Sequence, residues 1–123
     1  MPDHVHLLVR PSDGRISTLM QKIKSLSARR MIDALKASED SRVLGALKKA
    51  SPGRKQHVYQ TWQDGFHAVP LWSAWMIRKK IDYMHANPLR KGLVKSARDY
   101  PWSSFKTFHG LGRGMIPLDP TPS

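Results

Sequence analysis

The chain has 123 residues, one domain's worth, enough to bury a modest core but not two. It lacks cysteine, which excludes disulfides and thiolate metal sites. Lys and Arg number 21 against nine Asp and Glu, a formal charge of +12 that points to a polyanionic partner, most simply nucleic acid. The longest apolar run is too short to span a bilayer, and the first residues lack the basic-then-apolar order of a signal peptide, so a soluble, cytoplasmic protein with no membrane partner is the expectation.

The opening, MPDHVHLLV, reads as a strand. Side chains alternate along a strand, so His4 and His6 share one face while Val5, Leu7 and Val9 take the other. RPSDGR then reads as a turn. Ile16, Leu19, Met20, Ile23, Leu26, Ile32 and Leu35 follow helical spacing, which predicts an amphipathic helix over about 18–37 with Ser17 as its N-cap. On its other side Arg15, Lys22, Arg29 and Lys36 recur every seven residues as one basic stripe, either a solvated face or a phosphate contact.

Residues 38–57 look like an insertion, with a short helical piece around Val43 to Lys49 followed by SPGRK as a loop. VYQTWQDGFHAVPL, rich in aromatic and branched residues around Asp64-Gly65, predicts a strand broken by a turn or a glycine bulge. Ser73 offers an N-cap to a second helix, AWMIRKKIDYMHAN, which Pro88 is expected to end because the residue before proline avoids the α region. Within it Tyr83 and Asn87 are four apart, hence on one face. Basic and aromatic residues alternate from Arg90 to Gly110, and the stretch from 110 to 123 is expected to be disordered.

Two imidazoles are a partial ligand set, since a divalent ion needs at least one more protein donor. A basic chain, a histidine pair, and a tyrosine with an amide one helical turn away together suggest transesterification, in which a phenolate attacks phosphorus. A free tyrosine has a pKa near 10, so a nearby cation or base must assist at neutral pH. Of the other tyrosines, Tyr59 falls in the apolar strand region and Tyr100 in an aromatic loop, where structural roles fit better.

MPDHVHLLV resembles the HUH motif (His, hydrophobic, His) of the single-tyrosine transposases, and YMHANPLRKGLV followed by DYPWSS resembles the C-terminal signature of the REP-associated tyrosine transposases. The likeness covers most of residues 1–109, read as one nuclease domain interrupted at 38–57 and followed by the 110–123 tail. It implies an α+β fold, a two-layer sandwich with a central antiparallel sheet of the HUH, ferredoxin-like kind. Because the chain begins inside the motif, the fold is expected to lack its first strand and helix.

By the same resemblance, the protein is a single-stranded DNA endonuclease and transposase that acts at hairpin sequences through a 5′-phosphotyrosine intermediate. Tyr83 is then the nucleophile, with His4, His6 and Asn87 holding Mg²⁺ or Mn²⁺. Lys22, Arg29, Lys79, Lys80, Arg90 and Lys91 are the candidate phosphate contacts, and Trp62 or Phe66 the candidate stacking surfaces for unpaired bases. The alternative is an inactive transposase remnant, or a basic DNA-binding module without the reaction. Oligomeric state leaves no signature in the sequence.

Overall fold

The computed structural model describes residues 1–51, 53 and 58–120. Most of the SPGRK loop, together with His57 and the last three positions of the tail, lies outside the described residues. The described chain holds α1 (Ile16–Ala37), α2 (Ser41–Ala50), α3 (Ala74–Arg90), a 3₁₀ turn (Ala97–Asp99) and α4 (Phe105–Phe108). It divides into two compact units, one made of Met1–Val9 and Val69–Ser123, the other of Arg10–Ala68.

The expected sandwich with a central antiparallel sheet is not seen: among the described residues there is no strand and no sheet. A strand exists only through its ladder, and neither apolar run meets a second extended segment that could complete one. The HVHLLV stretch carries no strand assignment, with Val5, Leu7, Leu8 and Val9 all exposed. The stretch from Val58 to Leu71, expected as strand, is also irregular. Its carbonyls find another donor, because Lys24 Nζ donates to Gln63 O at 2.5 Å and to Gly65 O at 2.6 Å. Gly65 turns there with φ +74°, a region that glycine enters without a Cβ penalty.

In the unit from Arg10 to Ala68, α1 begins two residues before the expected start. Its N-cap is Arg15 rather than Ser17, and no side chain caps it. The entry is instead ordered by Asp13, whose carboxylate accepts from Arg15 N at 3.0 Å. α1 ends with Glu39 at φ +55°, where Asp40 N bonds Leu35 O and Glu39 N bonds Lys36 O, the paired bonds of a Schellman cap. Asp40 then caps α2 by accepting from Val43 N at 3.1 Å, and α2 packs on α1.

In the other unit Ser73 caps α3, its hydroxyl accepting from Met76 N at 3.2 Å. The helix does not stop at Pro88 but runs through it to Arg90. Proline deletes the bond its own N–H would make and nothing further on. Lys91 N still reaches Asn87 O, Gly92 N reaches Leu89 O and Leu93 N reaches Pro88 O. These bonds form a second Schellman cap around Gly92, at φ +68°. Burial of Asn87 and Pro88 holds that last turn in place. The buried stripe of α3 is Ile81, His85 and Pro88, and its base is closed by the 3₁₀ turn and by α4. Among the described residues no helix is long and apolar enough to cross a membrane.

Candidate functional site

His6 is the centre of a cluster drawn from the two ends of its unit. Its Nε2 lies 2.9 Å from Asn87 Nδ2, a bond spanning 81 residues of chain. Its ring stands 5.8 Å from the Tyr83 ring, edge to face, and 4.9 Å from the His4 ring. Helical spacing explains the pairing on α3, since Tyr83 and Asn87 lie one turn apart and so present to one neighbour. Asn87 is buried at 5% exposure while Tyr83 keeps 45%, so the amide is locked and the phenol faces outward.

The bonding sets the state of each imidazole. With the Asn87 amide nitrogen donating, His6 Nε2 is the acceptor and the ring is neutral. Burial holds the His6 pKa below the ordinary imidazole value, and the charge of His4 and of Lys80 adds to that. His4 Nδ1 lies 2.6 Å from Asp3 Oδ1, which leaves its Nε2 as the free donor atom. That bond draws the Asp3 carboxyl below its usual range.

Among the described residues no three His, Asp or Glu side chains gather as a metal site. The amide present beside His6 is Asn87, with its Nδ2 turned to the imidazole. Two imidazoles and an amide oxygen are a donor set that Mn²⁺ accepts at least as well as Mg²⁺, and to hold an ion His6 Nε2 and the Asn87 amide would have to give up their mutual hydrogen bond.

Cations surround the phenol. Lys80 Nζ lies 5.9 Å and Arg90 Cζ 5.8 Å from the Tyr83 ring centre, within the reach of a cation–π contact. Lys79 and Lys91 are exposed in the same unit. In the unit from Arg10 to Ala68, Lys22 and Arg29 stand exposed on α1. Trp62 there is half-buried, its Nε1 donating to Ser27 Oγ at 2.9 Å, and Phe66 is exposed. Tyr59 lies under Lys36 Nζ at 5.7 Å.

Sequence reasoning passed over Asp3 and Trp75, while the two-residue spacing on a helix already turns His85 away from Tyr83. Asp3 orients His4, a role adjacency alone could have suggested. His85 turns away from Tyr83 and is buried against Phe105 and Phe108, its Nε2 2.8 Å from Ser104 Oγ. Trp75 projects from α3 at 69% exposure, and its position eight residues before Tyr83 was the available signal. A half-open cavity of about 100 Å³ adjoins His6, walled by His85, Tyr100, Trp102 and Ser104 among others.

Burial also lowers the His85 pKa, with His109 adding to the shift and Asp82 opposing it. The unfolded chain takes up a proton near pH 6.5 that the folded one refuses, so the folded state is fully favoured above that pH and loses stability as pH falls through the lowered folded value. Thermal unfolding at pH 7.5 and pH 5.5 should show a drop in Tm that His85→Gln makes smaller. An equal drop in both proteins would assign the acid sensitivity elsewhere.

The histidine pair, Tyr83 and Asn87 thus meet in one unit of a strongly basic chain. Residues 1–87 match the family described as Transposase IS200 like, and the chain belongs to that family. Over 59 residues it is 36% identical to a REP-associated tyrosine transposase of Escherichia coli (strain K12), a stretch covering 47% of this chain and 34% of that protein. The chain thus matches about a third of the length of that relative. No solved structure matches it.

Proposed function

We propose that this chain is a divalent-metal-dependent, single-tyrosine transposase that cleaves and transfers single-stranded DNA at hairpin sequences. The observation that carries the reading is the position of His6, 2.9 Å from Asn87 and 5.8 Å, ring to ring, from Tyr83. It joins the proposed nucleophile and the proposed ligands from opposite ends of the unit.

In the proposed reaction the Tyr83 phenol gives up its proton and Oη attacks the phosphorus of the scissile diester. The bond from phosphorus to the 3′ oxygen breaks, and that oxygen leaves as a hydroxyl after taking up a proton. The 5′ phosphate remains esterified to Tyr83, and attack by another 3′ hydroxyl rejoins DNA and frees the tyrosine. His4, His6 and Asn87 would hold Mg²⁺ or Mn²⁺, which when bound supplies a Lewis acid for the negative charge developing on phosphate oxygens. Lys80 and Arg90 flank the phenol and meet the same phosphate. Lys22, Arg29, Lys79 and Lys91 are the further proposed DNA contacts, with Trp62 as an aromatic one.

The test is a hairpin oligonucleotide labelled at either end and run on a denaturing gel with Mn²⁺ or Mg²⁺. The 3′ label should migrate with the protein, and the 5′ label with a shorter strand ending in an extendable 3′ hydroxyl. The reverse attachment, or no adduct from the full chain, would defeat the reading. A native shift without an adduct would favour the non-catalytic DNA-binding module.

Binding itself should be steeply salt-dependent. Six phosphate-contacting cations predict a slope of about −4 in log affinity against log salt for single-stranded DNA. Titrations between 50 and 200 mM salt check this, and a slope near zero would remove nucleic acid as the partner.

A further inference from the structure

We infer that Trp75 is a stacking platform for an unpaired base of the DNA strand that passes Tyr83, so that the solvent face of α3 is a track for single-stranded DNA. The inference rests on the strand-transfer reading above and adds a contact that the reading does not contain. A tryptophan at 69% exposure on a helix leaves a large apolar ring in water. Trp72, three residues earlier and just before the helix, is also exposed, at 78%, so the aromatic surface continues past the start of α3. Trp75, Lys79 and Tyr83 follow one another at intervals of four residues, a single slanted ridge on the helix surface.

Charge decides between possible occupants. Lys79 Nζ lies 5.6 Å from the Trp75 ring, and Lys80 and Arg90 lie at the Tyr83 end. Asp82 is the single acid on α3, against Arg78, Lys79, Lys80 and Arg90. Aromatic rings interleaved with cations suit a strand that presents both bases and phosphates, and base stacking tolerates any sequence. Eight residues of helix separate Trp75 from Tyr83 by about 12 Å. At ~3.4 Å per stacked nucleotide that distance is three or four nucleotides from the scissile phosphate.

The experiment is a coupling cycle in the Tyr83→Phe protein, which binds without reacting. Affinity for a hairpin oligonucleotide with single-stranded flanks is measured against a series carrying one abasic position each, with Trp75 or with Trp75→Ala. Trp75→Ala should weaken binding of the intact oligonucleotide about tenfold. At one abasic position within about four nucleotides of the scissile phosphate, that loss should disappear, because the partner base is already gone. Trp75→Phe should retain most of the affinity and the same coupling. No coupling at any position, coupling only farther away, or a phenylalanine variant as weak as alanine would each overturn the assignment. Since Trp75 is exposed, its removal leaves no core cavity to unfold the protein. Adduct formation by the unmutated chain is scored separately, so loss of the strand-transfer reading and loss of the stacking site give different results.

Discussion

Tyr83→Phe is expected to abolish the covalent DNA adduct, by at least about 10³-fold, while hairpin affinity changes by less than about twofold. The variant removes one oxygen, the atom proposed to form the bond to phosphorus. It keeps the ring, and with it the contacts to His6, Lys80 and Arg90. Because Tyr83 is 45% exposed, its hydroxyl leaves no buried partner unsatisfied and the fold should be unaffected. Denaturing gels with 3′-labelled hairpin measure the adduct, and native titration measures binding. Full activity of the phenylalanine variant would move the nucleophile to another residue, with Tyr100 and Tyr59 the remaining tyrosines.

His6→Ala is expected to lose the adduct by about 10²-fold or more, with added Mn²⁺ restoring little. The proposed site, reduced to His4 and Asn87, would bind a divalent ion weakly, because affinity depends on the number of donors as well as their type. The same substitution leaves the Asn87 amide, 5% exposed, without its acceptor. An unpaired buried polar group costs roughly 1–3 kcal/mol, so a modest fall in Tm should accompany the loss of chemistry. Neutrality of His6 also sets the pH range. Burial keeps its pKa below the ordinary imidazole value, so His6 stays neutral below about pH 6.5 and takes up a proton only as pH falls through that lowered value. Adduct yield across pH and across Mn²⁺ concentration checks both points. An unchanged yield in His6→Ala at limiting Mn²⁺ would exclude His6 from the metal site.

Local chemistry made the helices legible. The apolar spacing from Ile16 to Leu35 marks α1, and Ser73 marks the start of α3, where its hydroxyl does accept from Met76 N. The same local reading misjudged two boundaries. Ser17 is a good N-cap residue, but Asp13 two residues before Arg15 already orders the turn. Pro88 is a good helix breaker, but the turn it sits in is closed by three bonds that do not use its missing N–H. A propensity states what one residue prefers, and here the neighbours outweighed it.

The two apolar stretches, HVHLLV and VYQTWQDGF, show how local patterning suggested a sheet that the described residues do not contain. Alternation and branched residues describe a surface that would suit a strand, whereas strand formation needs a partner's backbone. No described residues supply that partner. Lys24 instead takes the carbonyls of Gln63 and Gly65, an arrangement no pattern of apolar residues encodes.

By itself the sequence determined the basic charge, the helical spacing, and the presence of His4, His6, Tyr83 and Asn87 in two short motifs, all properties of neighbouring residues. Only the tertiary structure decided that His6 meets Asn87 across 81 residues, that Asp3 orients His4, and that Trp75 stands exposed in line with Tyr83. The physical reason is that hydrogen bonding, burial and exposure depend on which distant segments share a volume, which no local preference settles.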